Sequence, residues 1–349
     1  MDCIILTNGL SGKSMTVTIY DIARATGLAK STVANALSGK GTVSEATRQR
    51  ILQCAREMGY RPNVLARSFY HHKTLTIALI LPTITNPFYP EIVEAIERTA
   101  SERDYQTLFC STYSNFELGR QQMERMLSRW VDGYIIMGSS MDIADVRQYF
   151  RQGLPIVLCD WQENEAPEDI PQVSVDFYRA GQLAAQHLLD LGHRKLGVIF
   201  DEPQQTLRLE GFLSILQAAQ ITLPPGMKQV SSSTLESGYR AAQNLLAQAE
   251  RPTAIFATTD WLALGAIDAV LDAGLRVPED ISIMGLDDIM LSAHLRPPLT
   301  SVAVPKLHLA RESIDLLFRQ IDGDKDAPAR KLIEPYLVVR QSTAFPVSE

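Results

Sequence analysis

Cysteine, histidine and long apolar runs are all scarce in this chain, and each scarcity removes a class of function. The four cysteines, Cys3, Cys54, Cys110 and Cys159, show no paired spacing, so neither a disulfide framework nor a zinc ribbon is encoded. Cys110 and Cys159 stand inside apolar runs and read as buried, reduced thiols of a cytoplasmic protein. His71 and His72 are adjacent, but no other Cys or His falls at ligand spacing, so no metal site is expected. None of the six histidines neighbours a Ser or Cys in a nucleophile motif, and neither Gly-x-Gly-x-x-Gly nor Gly-x-x-x-x-Gly-Lys-Ser/Thr occurs. Asp287 and Asp288 are successive, so they point different ways and make no acid–base pair by spacing. No uninterrupted apolar run approaches membrane-spanning length. The first 15 residues lack a cationic start and a cleavage pattern, which excludes a secretory signal; a disordered extension or a misassigned start at Met1 is expected there. What remains is a binding protein, not an enzyme, with no cofactor, no metal and no membrane partner.

Positive charge is also in short supply overall, since the formal net charge is −7. Yet residues 16–73 hold Arg24, Lys30, Lys40, Arg48, Arg50, Arg56, Arg61, Arg67 and Lys73 against only Asp21, Glu45 and Glu57. A small basic module on an acidic chain can neutralise phosphates and release counterions, which the remainder would oppose.

Its pattern is three short helices. Thr18 with Asp21 three residues on gives a cap and an N3 acid, Ile19, Ile22 and Ala23 form an apolar stripe, and Gly27 supplies the stop. A second helix over 31–37 turns Val33 and Leu37 inward and leaves Lys30, Ser31, Ala34, Asn35 and Ser38 on a polar, nearly uncharged face. A third, over 45–58, has Ser44 as cap, Ile51, Leu52, Ala55 and Met58 as core and Gly59 as stop. Helix, tight turn and a second helix with small polar side chains is the design that enters a major groove; an ordinary three-helix bundle is the alternative.

These residues resemble the LacI/GalR family of transcription regulators. The run Thr18-Ile19-Tyr20-Asp21-Ile22-Ala23, then Gly27, Thr32-Val33, Val43-Ser44, Thr47-Arg48, Ile51 and Gly59-Tyr60-Arg61-Pro62-Asn63 follow the family headpiece almost position for position. The resemblance implies operator contacts from Ile19, Tyr20, Lys30, Ser31, Thr32, Asn35, Ser38, Ser44, Thr47, Tyr60, Asn63, Ala66 and Phe69. The chain departs from the family at the recognition helix, where Ala29 and Ala34 replace serines and Asn35 replaces Arg or His. Asn pairs with adenine where Arg prefers guanine, so an unusual half-site is expected. In the family the segment matching 62–74 folds on DNA into a hinge helix that wedges a leucine into the minor groove. Phe69 occupies that position here, either as an aromatic wedge or as a cap on the core domain.

From Leu75 onward, short apolar runs at 75–81, 107–111, 133–138, 156–160, 173–176, 196–200, 255–258 and 281–285 alternate with amphipathic helices. Runs apolar on both faces belong to parallel strands covered by helices, and about 275 residues exceed one core. Gly285-Leu286-Asp287-Asp288, the run Pro297-Pro298-Leu299-Thr300-Ser301-Val302 and the helix near 305–322 extend the resemblance through nearly the whole chain. The expected fold is therefore an all-α helix-turn-helix headpiece (16–61), a hinge segment (62–74) and an α/β core of two lobes, of the type I periplasmic-binding-protein-like kind. The lobes are expected over 75–172 with 303–331, and over 173–302 with 332–343.

Ligands bind beyond the carboxyl ends of parallel strands, so the residues after each run are candidates. Phe88 and Tyr89, Asp160 and Trp161, Thr259, and Asp287 hold those positions, and Arg208 opens a helix after the run 196–200. Converging carboxylates and a guanidinium hydrogen-bond several hydroxyls while aromatic rings cover an apolar sugar face. The resemblance makes Arg208 and Asp287 the principal polar contacts of an effector, with Phe88, Tyr89, Asp160 and Trp161 at further pocket positions. Thr259 stands where the family has Asn. Asp160 and Asp288 are equally suited to capping loops, Trp161 to the core, and Asp260 to capping the helix 261–274. The function expected is a repressor of carbohydrate uptake or catabolism genes. It would bind a pseudo-palindromic double-stranded operator as a homodimer and be relieved by a sugar or sugar derivative; a purine would want a ring sandwich from Phe88 or Tyr89. The alternative is a cytoplasmic carbohydrate receptor whose helical bundle docks a protein.

Overall fold

Thr18 and Asp21 open the first helix as their spacing predicts. The Asp21 carboxylate accepts the Thr18 N–H at 2.9 Å and its hydroxyl at 2.7 Å, and those bonds hold its pKa below the usual carboxylate value. The computed structural model describes residues 17–38, 41–60, 73–129, 131–138, 140–161, 169–201, 206–324 and 330–347. Two units, Met1–Thr74 and Leu75–Glu349, make up the chain.

In the first unit, α1 (Ile19–Thr26) ends at Gly27, whose φ of 68° lies in the left-handed region. The second helix, α2 (Lys30–Ser38), runs one residue beyond 31–37 at each end, because Val33 N–H reaches back to the Ala29 carbonyl. The third, α3 (Glu45–Glu57), is capped by Ser44, which accepts the Thr47 N–H at 3.4 Å. Ile22, Val33 and Ile51 are fully buried at the centre, with Ala36, Cys54 and Ala55 around them. Ala36, not Leu37, is the second inward residue of α2; Leu37 is only half-buried. Arg50 donates from Nη2 to the Thr26 carbonyl at 2.9 Å and closes the end of α1. The hinge segment, with Asn63, Ala66 and Phe69, lies outside the described residues.

The second unit carries two six-stranded sheets. Its elements in chain order are β1 (Thr76–Leu81), α4 (Phe88–Ser101), β2 (Gln106–Ser111), α5 (Phe116–Leu127), β3 (Gly133–Met137), α6 (Ile143–Arg151), β4 (Ile156–Cys159) and β5 (Gln172–Val175). Then follow α7 (Phe177–Asp190), β6 (Leu196–Asp201), α8 (Thr206–Ala218), β7 (Lys228–Ser231), α9 (Leu235–Leu246), β8 (Ala254–Ala257), α10 (Asp260–Asp272) and β9 (Ser282–Asp287). The chain finishes with β10 (Thr300–Ala303), α11 (Lys306–Ile321), β11 (Arg330–Ile333) and β12 (Tyr336–Val338). The sheet orders are β11-β5-β4-β3-β1-β2 and β12-β10-β9-β8-β6-β7, all parallel except the antiparallel β10–β12 pair.

The chain thus passes between lobes three times, after β5, after β10 and after β11. Three expected boundaries move accordingly. Residues 173–175 pair with β4 and β11, and 332–333 pair with β5, so both belong to the first lobe's sheet; Ala303 pairs with Asp287 and belongs to the second. Hydrogen-bond partners, not the end of an apolar run, decide membership of a sheet.

Helices α7 and α8 of the second lobe approach backbone to backbone. A Cβ on Gly211 of α8 would overlap the Tyr178 carbonyl, and one on Gly181 of α7 would overlap the Arg208 carbonyl. Only glycine permits that approach, and it brings the first turns of α7 and α8 together.

Candidate functional site

The first unit presents one polar face. On α2, Lys30, Ser31, Asn35 and Ser38 are exposed and Thr32 half-buried, while Tyr20 of α1 is 62% exposed beside them. Lys30 Nζ donates to the Tyr20 hydroxyl at 2.7 Å and lies 4.1 Å from its ring centroid. This contact joins α1 and α2 into a continuous surface of donors. Gly41, at φ 78°, keeps space beside Asn35, for a Cβ there would stand 3.0 Å from its Nδ2. Ser44 Oγ donates to Thr47 Oγ1 at 2.8 Å, so these two hydroxyls form one exposed pair at the start of α3. Ile19 and Tyr60 are half-buried and pack against the helical core.

In the second unit, charged groups converge where the lobes meet. Arg208, in the first turn of α8, is 2% exposed, and Asp287, at the end of β9, is 1% exposed. Their Nη1–Oδ1 separation of 3.6 Å is too long for a hydrogen bond. Arg208 Nη1 instead donates to the Thr258 carbonyl at 2.6 Å, and its guanidinium stacks 4.1 Å from the centroid of Phe177, the first residue of α7. Among the described residues, Arg208 Nε and Asp287 Oδ1 are buried with no hydrogen-bond partner. Buried polar groups are ordinarily hydrogen-bonded, so two left unpaired a few ångströms apart call for an explanation.

The backbone here is unusual as well. Asp287 has φ 116°, Asp288 φ 50° and Asp160 φ 56°, values an L side chain rarely adopts. Burial raises the pKa of Asp287 well above the ordinary carboxylate value; Arg208 opposes that shift, whereas Asp260 and Asp160 add to it. The Tyr89 phenol is likewise pushed up, first by burial and then by Asp160, with Arg208 opposing. Tyr89 and Asp160 come from the first lobe, Arg208 and Asp287 from the second, and the four share one electrostatic neighbourhood. Asp160 is fully buried, so it too is shut off from solvent.

Other expected residues fall elsewhere. Phe88 is in the core at 2% exposure and meets Tyr89 edge-on with centroids 5.3 Å apart, so it backs that ring instead of facing it across a ligand. Trp161, 3% exposed, packs with Ile80, Ile136 and Leu158 on the opposite face of the first sheet, which is the core role its apolar ring also suited; among the described residues its indole N–H has no partner. Thr259 is the N-cap of α10 and accepts the Leu262 N–H at 3.2 Å. Asp260 is therefore not that cap. Its fully buried carboxylate accepts the Ile289 N–H at 2.9 Å and the hydroxyls of Ser292 and Ser301 at 2.6 Å each, which pins the loop after Asp287. Burial pushes its pKa up to about 6 despite those bonds.

Three contributors had no sequence argument. Phe177 follows β5 after one residue, Asp176, and would have been found by extending the strand-end rule to the run 173–176. Lys306 donates from Nζ to the carbonyls of Asp287 at 2.8 Å and Asp288 at 2.6 Å, and Glu91 pairs with Lys306 at 3.3 Å. Neither carries a local signal, since both act through backbone distant in sequence. Among the described residues, no group of three or more His, Cys, Asp and Glu could hold a metal ion, and no helix is long and apolar enough to cross a membrane.

Comparison with known proteins covers both units. Residues 18–63 match the family described as bacterial regulatory proteins, lacI family, and residues 185–343 match a periplasmic binding protein-like domain. The chain is 33% identical over 329 residues to the ribose operon repressor of Haemophilus influenzae, across 93% of this chain and 98% of that protein. It is 34% identical over 333 residues to the HTH-type transcriptional repressor PurR of Haemophilus influenzae, with the same coverage. Among solved structures, the lac repressor dimer bound to operator and the anti-inducer ONPF is 25% identical with a TM-score of 0.84, over 94% of this chain and 99% of that one. A regulator from Enterococcus faecium with bound ribose is 31% identical with a TM-score of 0.70, over 78% of this chain and 100% of that one.

Proposed function

We propose, for a chain that belongs to the LacI family of bacterial regulatory proteins, that a small sugar held between the two lobes sets how tightly the helical unit grips its operator. The chain is a DNA-binding transcriptional repressor with an effector-binding core, and not an enzyme. The alternative, in which the helical bundle docks a protein, is not favoured.

The observation that carries the effector reading is the buried pair Arg208 and Asp287, each with an unpartnered polar atom, at the meeting of the lobes. A guanidinium N–H donor and a carboxylate acceptor a few ångströms apart suit neighbouring hydroxyls of a sugar ring, one accepting and one donating. Tyr89 supplies an aromatic face on the first lobe, with Asp160 beside it. D-ribose is the first ligand to test, because the chain resembles a ribose operon repressor and a ribose-bound regulator. Opening and closing of the lobes around that ligand would then bias the hinge segment and so the DNA-bound state.

On the DNA side, the α2 face is read as the major-groove reader, with Asn35 at an adenine and Lys30, Ser31 and Thr32 at phosphates or base edges. Ser44 and Thr47 are read as backbone contacts, and Asn63, Ala66 and Phe69 as the hinge contribution. A two-fold operator requires a dimer. The outer edge strand β2 is a suitable seam, since Phe109, Tyr113 and Phe116 are 53%, 75% and 40% exposed there. An operator target places the protein in the cytoplasm. Selection from a randomised duplex pool tests this reading: wild-type protein should recover a palindromic site, and Asn35→Ala should relax one position in each half-site. An unchanged base preference would refute the role of Asn35.

A further inference from the structure

The loop that carries Asp287 belongs to the second lobe by chain connection, yet several of its hydrogen bonds come from the first. Met290 N–H donates to Glu91 Oε1 of α4 at 2.8 Å. Lys306 Nζ, at the start of α11, donates to the carbonyls of Asp287 at 2.8 Å and Asp288 at 2.6 Å. Glu91 and Lys306, 27% and 12% exposed, are themselves paired at 3.3 Å, so the two first-lobe side chains form one unit. Against them, the second lobe holds the same loop through Asp260, which takes the Ile289 N–H at 2.9 Å, and through Ser301, which takes the Asp288 N–H at 3.1 Å. Arg340 adds an ion pair to the Asp288 carboxylate at 2.7 Å.

From this we infer that Glu91 and Lys306 are positioning residues forming an interlobe clasp, which couples the pose of Asp287 to the angle between the lobes. The inference rests on the cleft being the effector site. Arg208, Asp287 and Asp160 are closed off from solvent, so a ligand of sugar size enters only when the lobes part. Parting moves Glu91 away from Met290 or drags the loop with it. In either case the left-handed backbone at Asp287 and Asp288 has to change, because those two carbonyls are gripped by Lys306. Sequence-distant, partly buried and charge-assisted, the clasp is a two-state element of the kind through which one site can bias another. Neither residue is a candidate operator contact or a candidate ligand contact, so its effect is read separately from both.

The test needs no ligand. In full-length Glu91→Ala, the Met290 amide should exchange with solvent about tenfold faster while the Ile289 amide, held within the second lobe by Asp260, stays within about twofold of wild type. The Kd of the ligand-free variant for the operator recovered by selection should shift by about fivefold or more, at unchanged salt slope. Glu91→Gln keeps an acceptor for Met290 and the side-chain shape but drops the charge on Lys306, so it should preserve Met290 protection and move the operator Kd less, in the same direction. An unchanged Met290 exchange rate in Glu91→Ala, or an operator Kd within twofold of wild type in both variants, would overturn the clasp. Because no sugar enters these measurements, they stand even if the cleft proves to bind something else.

Discussion

Replacing Arg208 by Met should weaken the core by an amount that depends on pH, and the dependence can be worked out from Asp287. Two parts of the loss do not depend on pH: the hydrogen bond to the Thr258 carbonyl and the stacking on Phe177, together about 3 kcal/mol. The third part is electrostatic. Asp287 has its folded pKa raised by burial, and Arg208 is the first group opposing that rise. A carboxylate whose folded pKa lies above its unfolded value favours folding at low pH and loses that contribution as pH rises through the folded value. Without Arg208 the folded pKa climbs further, so the window of loss widens upward. The ceiling follows from linkage: about 1.4 kcal/mol per pH unit above an unfolded pKa near 3.9 gives roughly 4 kcal/mol at pH 7, less whatever wild type already loses. All three tryptophans lie in the unit Leu75–Glu349, so their fluorescence follows that unit alone in urea. Arg208→Met should therefore cost more at pH 8 than at pH 5, and the difference should vanish in an Asp287→Asn background. A cost equal at the two pH values within about 0.5 kcal/mol would refute the coupling of the pair.

Other consequences follow from the packing. His187 and His193 are held below the ordinary imidazole pKa by burial, and they bond Thr343 at 3.0 Å and the Ala344 carbonyl at 2.9 Å, respectively. A depressed imidazole means the unfolded chain takes up protons first, so the melting temperature should fall as pH drops below about 6.5, and His193→Gln should flatten that fall. Gly211→Ala drives a methyl into the Tyr178 carbonyl with no flexible side chain to yield; the unfolding free energy of the core in urea should fall by about 2 kcal/mol or more, while Gly274→Ala, with open space at its Cβ, should cost only its positive φ, about 1 kcal/mol. In the first unit, Thr18→Ala removes one of two bonds to Asp21 and should lower the helical unit's stability by about 1 kcal/mol, read as a lower melting temperature of that unit.

Much of the helical unit was legible because its signals are local. Thr18, Asp21, Gly27, Ser44 and Gly59 act within a turn of their own positions, and the structure uses them there. Strands apolar on both faces were equally plain, whereas β7 (Lys228–Ser231) and β11 (Arg330–Ile333), short polar edge strands, carry no such run and were not read as strands. The strand-end rule found Arg208, Asp287, Asp160 and Tyr89, which the lobes do bring together. It did not separate Tyr89 from Phe88 and Trp161, whose rings are buried in the core, because position after a strand does not say which face of the sheet a ring will cover. Asp260 looked like a cap from its place before the expected helix 261–274, yet it is the first residue of α10, Thr259 does the capping and Asp260 reaches Ile289, Ser292 and Ser301 instead. Lys306 and Glu91 were invisible for the same reason: their partners are backbone groups brought near only by the third dimension.

Calorimetric titration of a panel of pentoses and hexoses, D-ribose first, into wild type and Arg208→Met tests the link between cleft and operator most directly, with operator affinity measured at saturating sugar. One sugar should bind wild type, fail to bind Arg208→Met, and change the operator Kd of wild type alone by about fivefold or more. A sugar that binds both proteins equally, or that binds wild type and leaves its operator affinity unchanged, would contradict the assignment of Arg208 and Asp287 as the effector site.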